Sequence, residues 1–120
     1  MKRKETGTIG EQLAQNYLKK KGYRILETNC RCGRDEIDIV ARQKDYLVFV
    51  EVRTKSNPDY GSPEESLTVH KMQHMESAAE HYLQAHKGEY ELWRVDLVAI
   101  ELDASSKLKR IELIENALEY

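Results

Sequence analysis

Apolar residues recur at three- and four-residue spacing in two parts of the chain, which is the pattern of amphipathic helices. The first stripe consists of Ile9, Leu13, Ala14, Tyr17 and Leu18. It predicts a helix over residues 8–21, which Gly22 ends as a C-cap. The second stripe consists of Leu67, Met72, Met75, Ala78, Ala79, Tyr82 and Leu83, and Gly88 follows it. Ser62, Pro63 and Glu65 precede that stripe in a capping-box pattern, which predicts that the second helix begins there.

The remaining apolar runs are short and rich in β-branched and aromatic residues, as in strands. They predict strands over residues 23–30, 35–42, 46–55, 92–102 and 108–114. The order α-β-β-β-α-β-β is typical of an α/β fold with a central mixed β-sheet flanked by helices. The chain shows no linker and no internal repeat, so we expect a single domain over residues 1–120.

Two of the predicted strands carry an acid within an apolar run. Asp38 lies in the second strand and Glu51 in the third. Because side chains alternate along a strand, Glu51 and Arg53 point to the same face. Two carboxylates on adjacent strands can hold Mg²⁺, to which the carbonyl of Val52 would add an oxygen, while Arg53 contacts a phosphate. The alternative is an ordinary salt bridge between Glu51 and a neighbouring arginine.

Charge is unevenly distributed along the chain. The net charge is −2, but residues 1–34 contain nine Lys or Arg and three Glu, giving +6, and the remainder carries −8. The basic third can meet phosphates, or its lysines at 19–21 can simply suit the C-terminus of the first helix. No apolar run is long enough to span a bilayer, and the N-terminus lacks the apolar segment of a secretion signal. With Cys30 and Cys32 expected as reduced thiols, these features predict a cytoplasmic protein without membrane contact.

Landmarks along nearly the whole chain resemble the YraN-like family of small bacterial proteins and, more distantly, the PD-(D/E)XK nuclease superfamily. They are Gly10-Glu11, Gly22-Tyr23, Asn29, Arg31, the segment 36–41 around Asp38, the segment 47–55 around Glu51, Gly61-Ser62-Pro63, Lys71 and the segment 94–98. The resemblance implies a restriction-endonuclease-like fold akin to archaeal Holliday-junction resolvases. It also implies nucleic-acid binding, with DNA the expected partner, and a metal-dependent endonuclease acting on branched or structured DNA. Resolvases act as dimers, so a homodimer is a further expectation.

The resemblance and the residue pattern together define the candidate site. We expect Asp38, Glu51, Arg53 and Lys55 to be catalytic, and Asp38, Glu51, Glu11 and the Val52 carbonyl to hold Mg²⁺ or Mn²⁺. For Glu11 the alternative is a first-turn acid that suits the helix dipole. The residues expected to contact nucleic acid are Arg31, Arg34, Lys71 and Tyr60. Lys71 falls inside the apolar stripe of the second helix, which predicts that it points toward the acids or toward a bound phosphate.

The chain departs from the pattern at two positions, of which the first favours an inactive alternative. Arg53 stands where the superfamily has Lys, and an arginine cannot act as a general base. Asp35 stands where the family usually has Gly. The alternative function is a binding or protein-interaction module that kept the fold and lost cleavage. His70, His74 and His81 share one flank of the second helix; a zinc-binding pair is an alternative there, but without the HExxH arrangement a solvated flank is the expectation.

Overall fold

The computed structural model describes residues 3–56 and 61–119, which contain two α-helices and five strands. The elements are α1 (Arg3–Lys20), β1 (Arg24–Cys32), β2 (Asp35–Gln43), β3 (Tyr46–Lys55), α2 (Val69–Ala85), β4 (Leu92–Leu102) and β5 (Leu108–Ile114). The predicted order α-β-β-β-α-β-β is confirmed. The helix predicted over residues 8–21 is longer at its start, and β1 continues two residues beyond its predicted end. None of the helices in the described residues is long and apolar enough to cross a membrane.

The predicted start of the second helix is wrong. The Ser62 Oγ does accept the backbone N–H of Glu65 at 3.2 Å, as in a capping box. However, this bond closes only the short 3₁₀ turn Glu64–Ser66, after which Leu67 is extended. Helix α2 begins at Val69, and Thr68 caps it by accepting the Lys71 N–H at 3.1 Å. The threonine side chain therefore provides the N-cap that the sequence pattern assigned to Ser62.

The five strands form one mixed sheet in the order β1-β2-β3-β4-β5. Neighbouring strands are antiparallel except β3 and β4, which are parallel because α2 lies between them in the chain. Pairing between β2 and β3 runs from Gln43–Tyr46 to Ile39–Val50 and ends there. Beyond that point the start of β2 continues to pair with β1, and the end of β3 continues to pair with β4. The sheet therefore forks between β2 and β3.

Each helix covers one face of the sheet. The face under α1 is packed by Ala14 and Leu18 against strand residues that include Ile39, Val50 and Ile100. The face under α2 is packed by Ala78, Ala79 and Tyr82 against residues that include Val40, Phe49 and Val95. Central strands covered on both faces are mostly apolar, which explains the apolar runs 47–50 of β3 and 97–100 of β4.

A buried polar network joins the start of β1 to β4. Asp96 is fully buried and accepts hydrogen bonds from Arg94 Nε at 3.0 Å and from the Tyr23 hydroxyl at 3.0 Å. Arg94 Nη2 in turn donates to the Tyr23 hydroxyl at 2.8 Å. Burial first, and then the charge of Asp96, raise the pKa of Tyr23. Each buried polar group in this network has a partner, so the network fixes the sheet rather than exposing reactive groups.

Candidate functional site

The fork in the sheet brings together the two acids that the sequence singles out. Asp38 and Glu51 lie one residue beyond the last paired residues of β2 and β3, Ile39 and Val50. Because the strands separate there, the backbone N–H of Val52 is not paired with the backbone of β2 and donates instead to the Asp38 side chain, to Oδ2 at 2.8 Å. The two carboxylates line one small cavity together with Phe49, Met75 and Val95.

Two neighbouring carboxylates in this cavity are costly when both are ionised. Burial first, and then the hydrogen bond and negative charge of Glu51, raise the pKa of Asp38 to about 8. The Val52 N–H and the positive charge of Lys71 act in the opposite direction, but they do not offset the burial. At neutral pH the Asp38–Glu51 pair therefore favours one shared proton or a cation in its place.

Lys71 points toward the acids, as its position in the apolar stripe of α2 predicts. Its Nζ lies 3.3 Å from Glu51 Oε2, and the Glu51 side chain is only 7% exposed. The Lys71 side chain is 34% exposed, so its stem crosses the apolar face of the helix while its ammonium group lies at the cavity. A salt bridge therefore exists at Glu51, although its cation comes from α2 rather than from a neighbouring strand arginine.

Arg53 and Lys55 follow Glu51 on the same face of β3. Arg53 is half-buried, and within residues 3–56 and 61–119 its buried Nε has no hydrogen-bond acceptor. A buried guanidinium donor without an acceptor is uncommon, because leaving it unpaired costs free energy. The Arg53 Nε is suited to donate to an anionic ligand that reaches the end of β3. Lys55 is half-buried at the last position of the strand.

Glu11 approaches the acids from the opposite side, on α1. Burial first, and then the charges of Asp38 and Glu36, raise the pKa of Glu11, while a hydrogen bond with Asn29 lowers it. The approach depends on Gly10: a Cβ atom there would lie 1.9 Å from Thr54 Oγ1 on β3. Glycine thus lets α1 lie directly against β3 and places Glu11 at the fork.

The donor set suits a hard divalent cation that keeps several water ligands. Asp38 and Glu51 offer carboxylate oxygens from adjacent strands, and their mutual repulsion would be relieved by a cation. Among the described residues, no three His, Cys, Asp or Glu side chains are grouped closely enough to hold one metal ion. Glu11 is therefore near the pair but not grouped with it, and its role as a ligand stays a prediction. Val52 contributes its N–H to Asp38, and ligation by its carbonyl also stays a prediction.

The residues predicted to contact nucleic acid are dispersed around this site. Arg31 is exposed on the edge strand β1, opposite Glu36 of β2. Arg34 is exposed in the turn between β1 and β2 and lines an open depression with His74 and His81. Tyr60 lies outside the described residues.

The structure adds contacts that the sequence did not reveal. His74 Nδ1 lies 2.8 Å from Asp35 Oδ1, and His74 Nε2 lies 2.9 Å from His70 Nε2. The flank is solvent-exposed at His70 and 44% exposed at His74, as predicted, but these two histidines also have side-chain partners. The i, i+4 spacing signalled that the two histidines share a face, but nothing local signalled Asp35. Arg110 of β5 similarly holds Glu64 at 2.6 Å, which ties the 3₁₀ turn to the sheet edge.

Comparison with known proteins finds one family and many close relatives. The model of a family described as "Uncharacterised protein family UPF0102" matches residues 10–100. A UPF0102 protein of Dehalococcoides mccartyi is 51% identical over 97% of this chain and 94% of its own length. UPF0102 proteins of Caldicellulosiruptor saccharolyticus and Moorella thermoacetica are 38% and 41% identical, each over 98% of this chain and over 99% and 98% of their own lengths. The similarity thus includes both strands of the fork and both helices that flank it.

Proposed function

The chain belongs to the UPF0102 family, the YraN-like family that its motifs resemble, and from this premise we propose that it is a metal-dependent endonuclease that hydrolyses phosphodiester bonds of branched or structured DNA. The observation that carries the proposal is the Asp38–Glu51 pair at the fork. Burial and the proximity of Glu51 raise the pKa of Asp38 to about 8, because two ionised carboxylates repel each other there. A bound cation would relieve this repulsion. Acids with strongly perturbed pKa values in a cavity are candidates for a functional site, because such values cluster at functional sites.

The proposal assigns a role to each residue around the pair. Asp38 and Glu51 hold Mg²⁺ or Mn²⁺, and Val52 fixes the Asp38 carboxylate through its N–H at 2.8 Å. Held by these two carboxylates, the ion would supply Lewis-acid chemistry for a phosphate and for a bound water molecule. Arg53 donates its unpaired Nε to a phosphate oxygen, and Lys55 reaches the same strand of nucleic acid. Lys71 neutralises Glu51 until substrate arrives, and Glu11 contributes negative charge from α1.

The substrate would be held by basic groups outside the acidic fork. Arg31 and Arg34 are exposed next to each other along β1 and its turn, and residues 1–34 carry a charge of +6. Basic side chains outside the metal site can bind the phosphate backbone, so that Asp38 and Glu51 stay available to the metal ion. Branched DNA and a homodimer are proposed from the resemblance to resolvases, in which two active sites act on one junction. We propose a cytoplasmic location for the protein, where it would meet the DNA of the cell.

Cleavage of labelled DNA tests the proposal. Single-stranded, duplex and four-way-junction DNA are incubated with the native chain and with Asp38→Asn or Glu51→Gln, in Mg²⁺ or Mn²⁺. We expect cleavage by the native chain and loss of cleavage in both variants. Asp45→Asn is the matched control, because Asp45 is an exposed acid in the turn between the same two strands. Cleavage that survives in both site variants would refute the assignment of the metal ligands.

A binding module without cleavage is the second candidate, and Arg53 is the observation that favours it. Arginine holds phosphate but does not accept a proton, so the lysine-dependent step of the superfamily has no direct equivalent here. This alternative predicts salt-sensitive DNA binding by the native chain, by Asp38→Asn and by Glu51→Gln, with no cleavage by any of them. It also predicts that Arg53→Ala weakens binding at low salt. An absence of DNA binding at every salt concentration would instead point to a protein partner.

A further inference from the structure

A second cluster of chemistry-bearing side chains lies at the start of α2, apart from the acidic fork. His70 and His74 are one helical turn apart, and their Nε2 atoms lie 2.9 Å from each other. Their rings are nearly perpendicular, with centroids 4.4 Å apart. The other ring nitrogen of His74, Nδ1, lies 2.8 Å from Asp35 Oδ1 on β2. The Nε2 atoms of His70 and His74 therefore face each other, while the Asp35 carboxylate contacts the His74 ring at its other nitrogen.

We propose that His70 and His74 form a bidentate binding site for a divalent transition metal of the Ni²⁺ or Cu²⁺ type, oriented by Asp35. Imidazole is a preferred ligand of these ions, whereas carboxylate and water suit Mg²⁺ and Mn²⁺. The histidine pair and the acidic fork thus select different classes of metal. The site does not depend on the proposed nuclease activity.

The distance between the two nitrogens indicates the geometry of the ion. Imidazole nitrogens bind such metals at about 2.0–2.1 Å, so two nitrogens at a right angle around the ion are about 2.9 Å apart, and tetrahedral ones about 3.3 Å. The Nε2 atoms of His70 and His74 are 2.9 Å apart. This separation matches adjacent positions of a square-planar or octahedral ion. The two nitrogens are therefore close enough to bind one such ion together.

Asp35 supplies the outer contact that metal-binding histidines usually have. A carboxylate that accepts the Nδ1–H of a histidine leaves Nε2 unprotonated and fixes the orientation of the ring. Asp35 is placed for this because β2 begins beside the first turns of α2, which brings residues 39 positions apart within 2.8 Å. Without a metal, the same geometry permits a hydrogen bond from one Nε2 to the other.

The remaining positions around the ion are open to water. The His74 side chain is 44% exposed, His70 is exposed, and His74 lines the open depression that also includes Arg34 and His81. Two protein ligands with water completing the sphere agree with the finding that no three such side chains converge among the described residues.

Calorimetric titration with Ni²⁺ tests the site, using the full chain without any added histidine tag. We expect one Ni²⁺ per chain for the native protein. His70→Ala and His74→Ala should each lose roughly tenfold or more in affinity, because a chelate becomes a single imidazole. Asp35→Asn should keep the stoichiometry and lose about 10- to 100-fold in affinity, as an outer-shell change does. His81→Ala is the matched control on the same helix and should bind as the native chain does.

Two further variant sets separate this site from other metal-binding groups. The thiols of Cys30 and Cys32 lie 3.4 Å apart and are an alternative pair of metal ligands. Because the proposal places the ion on the histidines, the double change Cys30→Ser and Cys32→Ser should leave Ni²⁺ binding unchanged. Asp38→Asn and Glu51→Gln should also leave it unchanged, even if they abolish cleavage. Titration with Cu²⁺ followed by electron paramagnetic resonance should show coupling to two nitrogens in the cysteine-free variant. Absence of Ni²⁺ binding, or binding that survives His70→Ala and His74→Ala, would overturn the proposal.

Discussion

Lys71 Nζ lies 3.3 Å from Glu51 Oε2, and this contact joins α2 to β3 beside the cavity that Glu51 and Asp38 line. Glu51 is buried in the strand, so its charge requires a partner. The partner comes from a helix that is otherwise apolar on this face, which links the packing of α2 to the charge of the site.

Replacing Lys71 should therefore destabilise the metal-free protein. Lys71→Met leaves the Glu51 carboxylate buried without its cation, and we expect the free energy of unfolding to fall by about 1–3 kcal/mol. Because a divalent cation at the acid pair would replace the lost positive charge, Mg²⁺ should stabilise this variant more than it stabilises the native chain. Urea unfolding with and without Mg²⁺ measures both effects. Lys87→Met removes an exposed lysine that follows the same helix, and it should change neither the free energy of unfolding nor the stabilisation by Mg²⁺. An equal loss of unfolding free energy in Lys71→Met and Lys87→Met would exclude a specific role for the Lys71–Glu51 contact.

The raised pKa of Asp38 predicts a pH dependence of stability. Burial first, and then Glu51, raise this pKa to about 8, whereas an unfolded aspartate titrates near about 3.9. Between these values the folded state binds a proton that the unfolded state releases, so the free energy of unfolding contributed by Asp38 falls as the pH rises from about 4 to about 8. Asp38→Asn has no such proton to lose.

Thermal melts of the native chain and of Asp38→Asn, taken in metal-free buffers across this pH range, measure the effect. The Tm of Asp38→Asn should rise relative to that of the native chain as the pH increases, and the difference should level off above about pH 8. Asp45→Asn should show no such trend, because Asp45 is exposed in a turn. A Tm difference that stays constant over the whole range would show that Asp38 titrates normally.

The pattern of local residues is sufficient to predict which strands carry the two acids of the candidate site. An acid within the apolar run of β3 and another within β2 were visible in the sequence, and β3 has the predicted bounds. Strand alternation then placed Glu51 on the face of Arg53, and helical spacing placed Lys71 among apolar residues. These inferences needed only the periods of regular secondary structure, which are local properties.

The contacts between distant segments could not be predicted in this way. The bond from the Val52 N–H to Asp38 exists because β2 and β3 separate after Ile39 and Val50, and no residue type marks that point. The capping pattern at Ser62 predicts the hydrogen bond from the Glu65 N–H, but the extended Leu67 separates this bond from α2. Asp35 and His74 meet only because α2 packs over the start of β2.

The close approach of α1 to β3 at Gly10 gives a prediction about the helix that carries Glu11. Alanine normally favours a helix over glycine by about 1 kcal/mol. At residue 10, however, a Cβ atom would lie 1.9 Å from Thr54 Oγ1, so α1 must shift away from β3. We expect Gly10→Ala to lower the free energy of unfolding by about 1–3 kcal/mol, as overpacking does. Gly7 is the matched control in the same helix, since no neighbouring atom of the described part of the chain lies within 4 Å of the Cβ that alanine would add there.

Urea unfolding of Gly7→Ala, Gly10→Ala and the double change Gly10→Ala with Thr54→Ala separates packing from helix propensity. Gly7→Ala should be neutral or stabilising by up to about 1 kcal/mol. The double variant should recover part of the loss, because removing the Thr54 hydroxyl and methyl leaves only its Cβ, at 2.9 Å, near the new methyl group. If Gly10→Ala instead stabilised the protein as much as Gly7→Ala, then α1 would not lie against Thr54. Glu11 would then not be held at the fork by this contact.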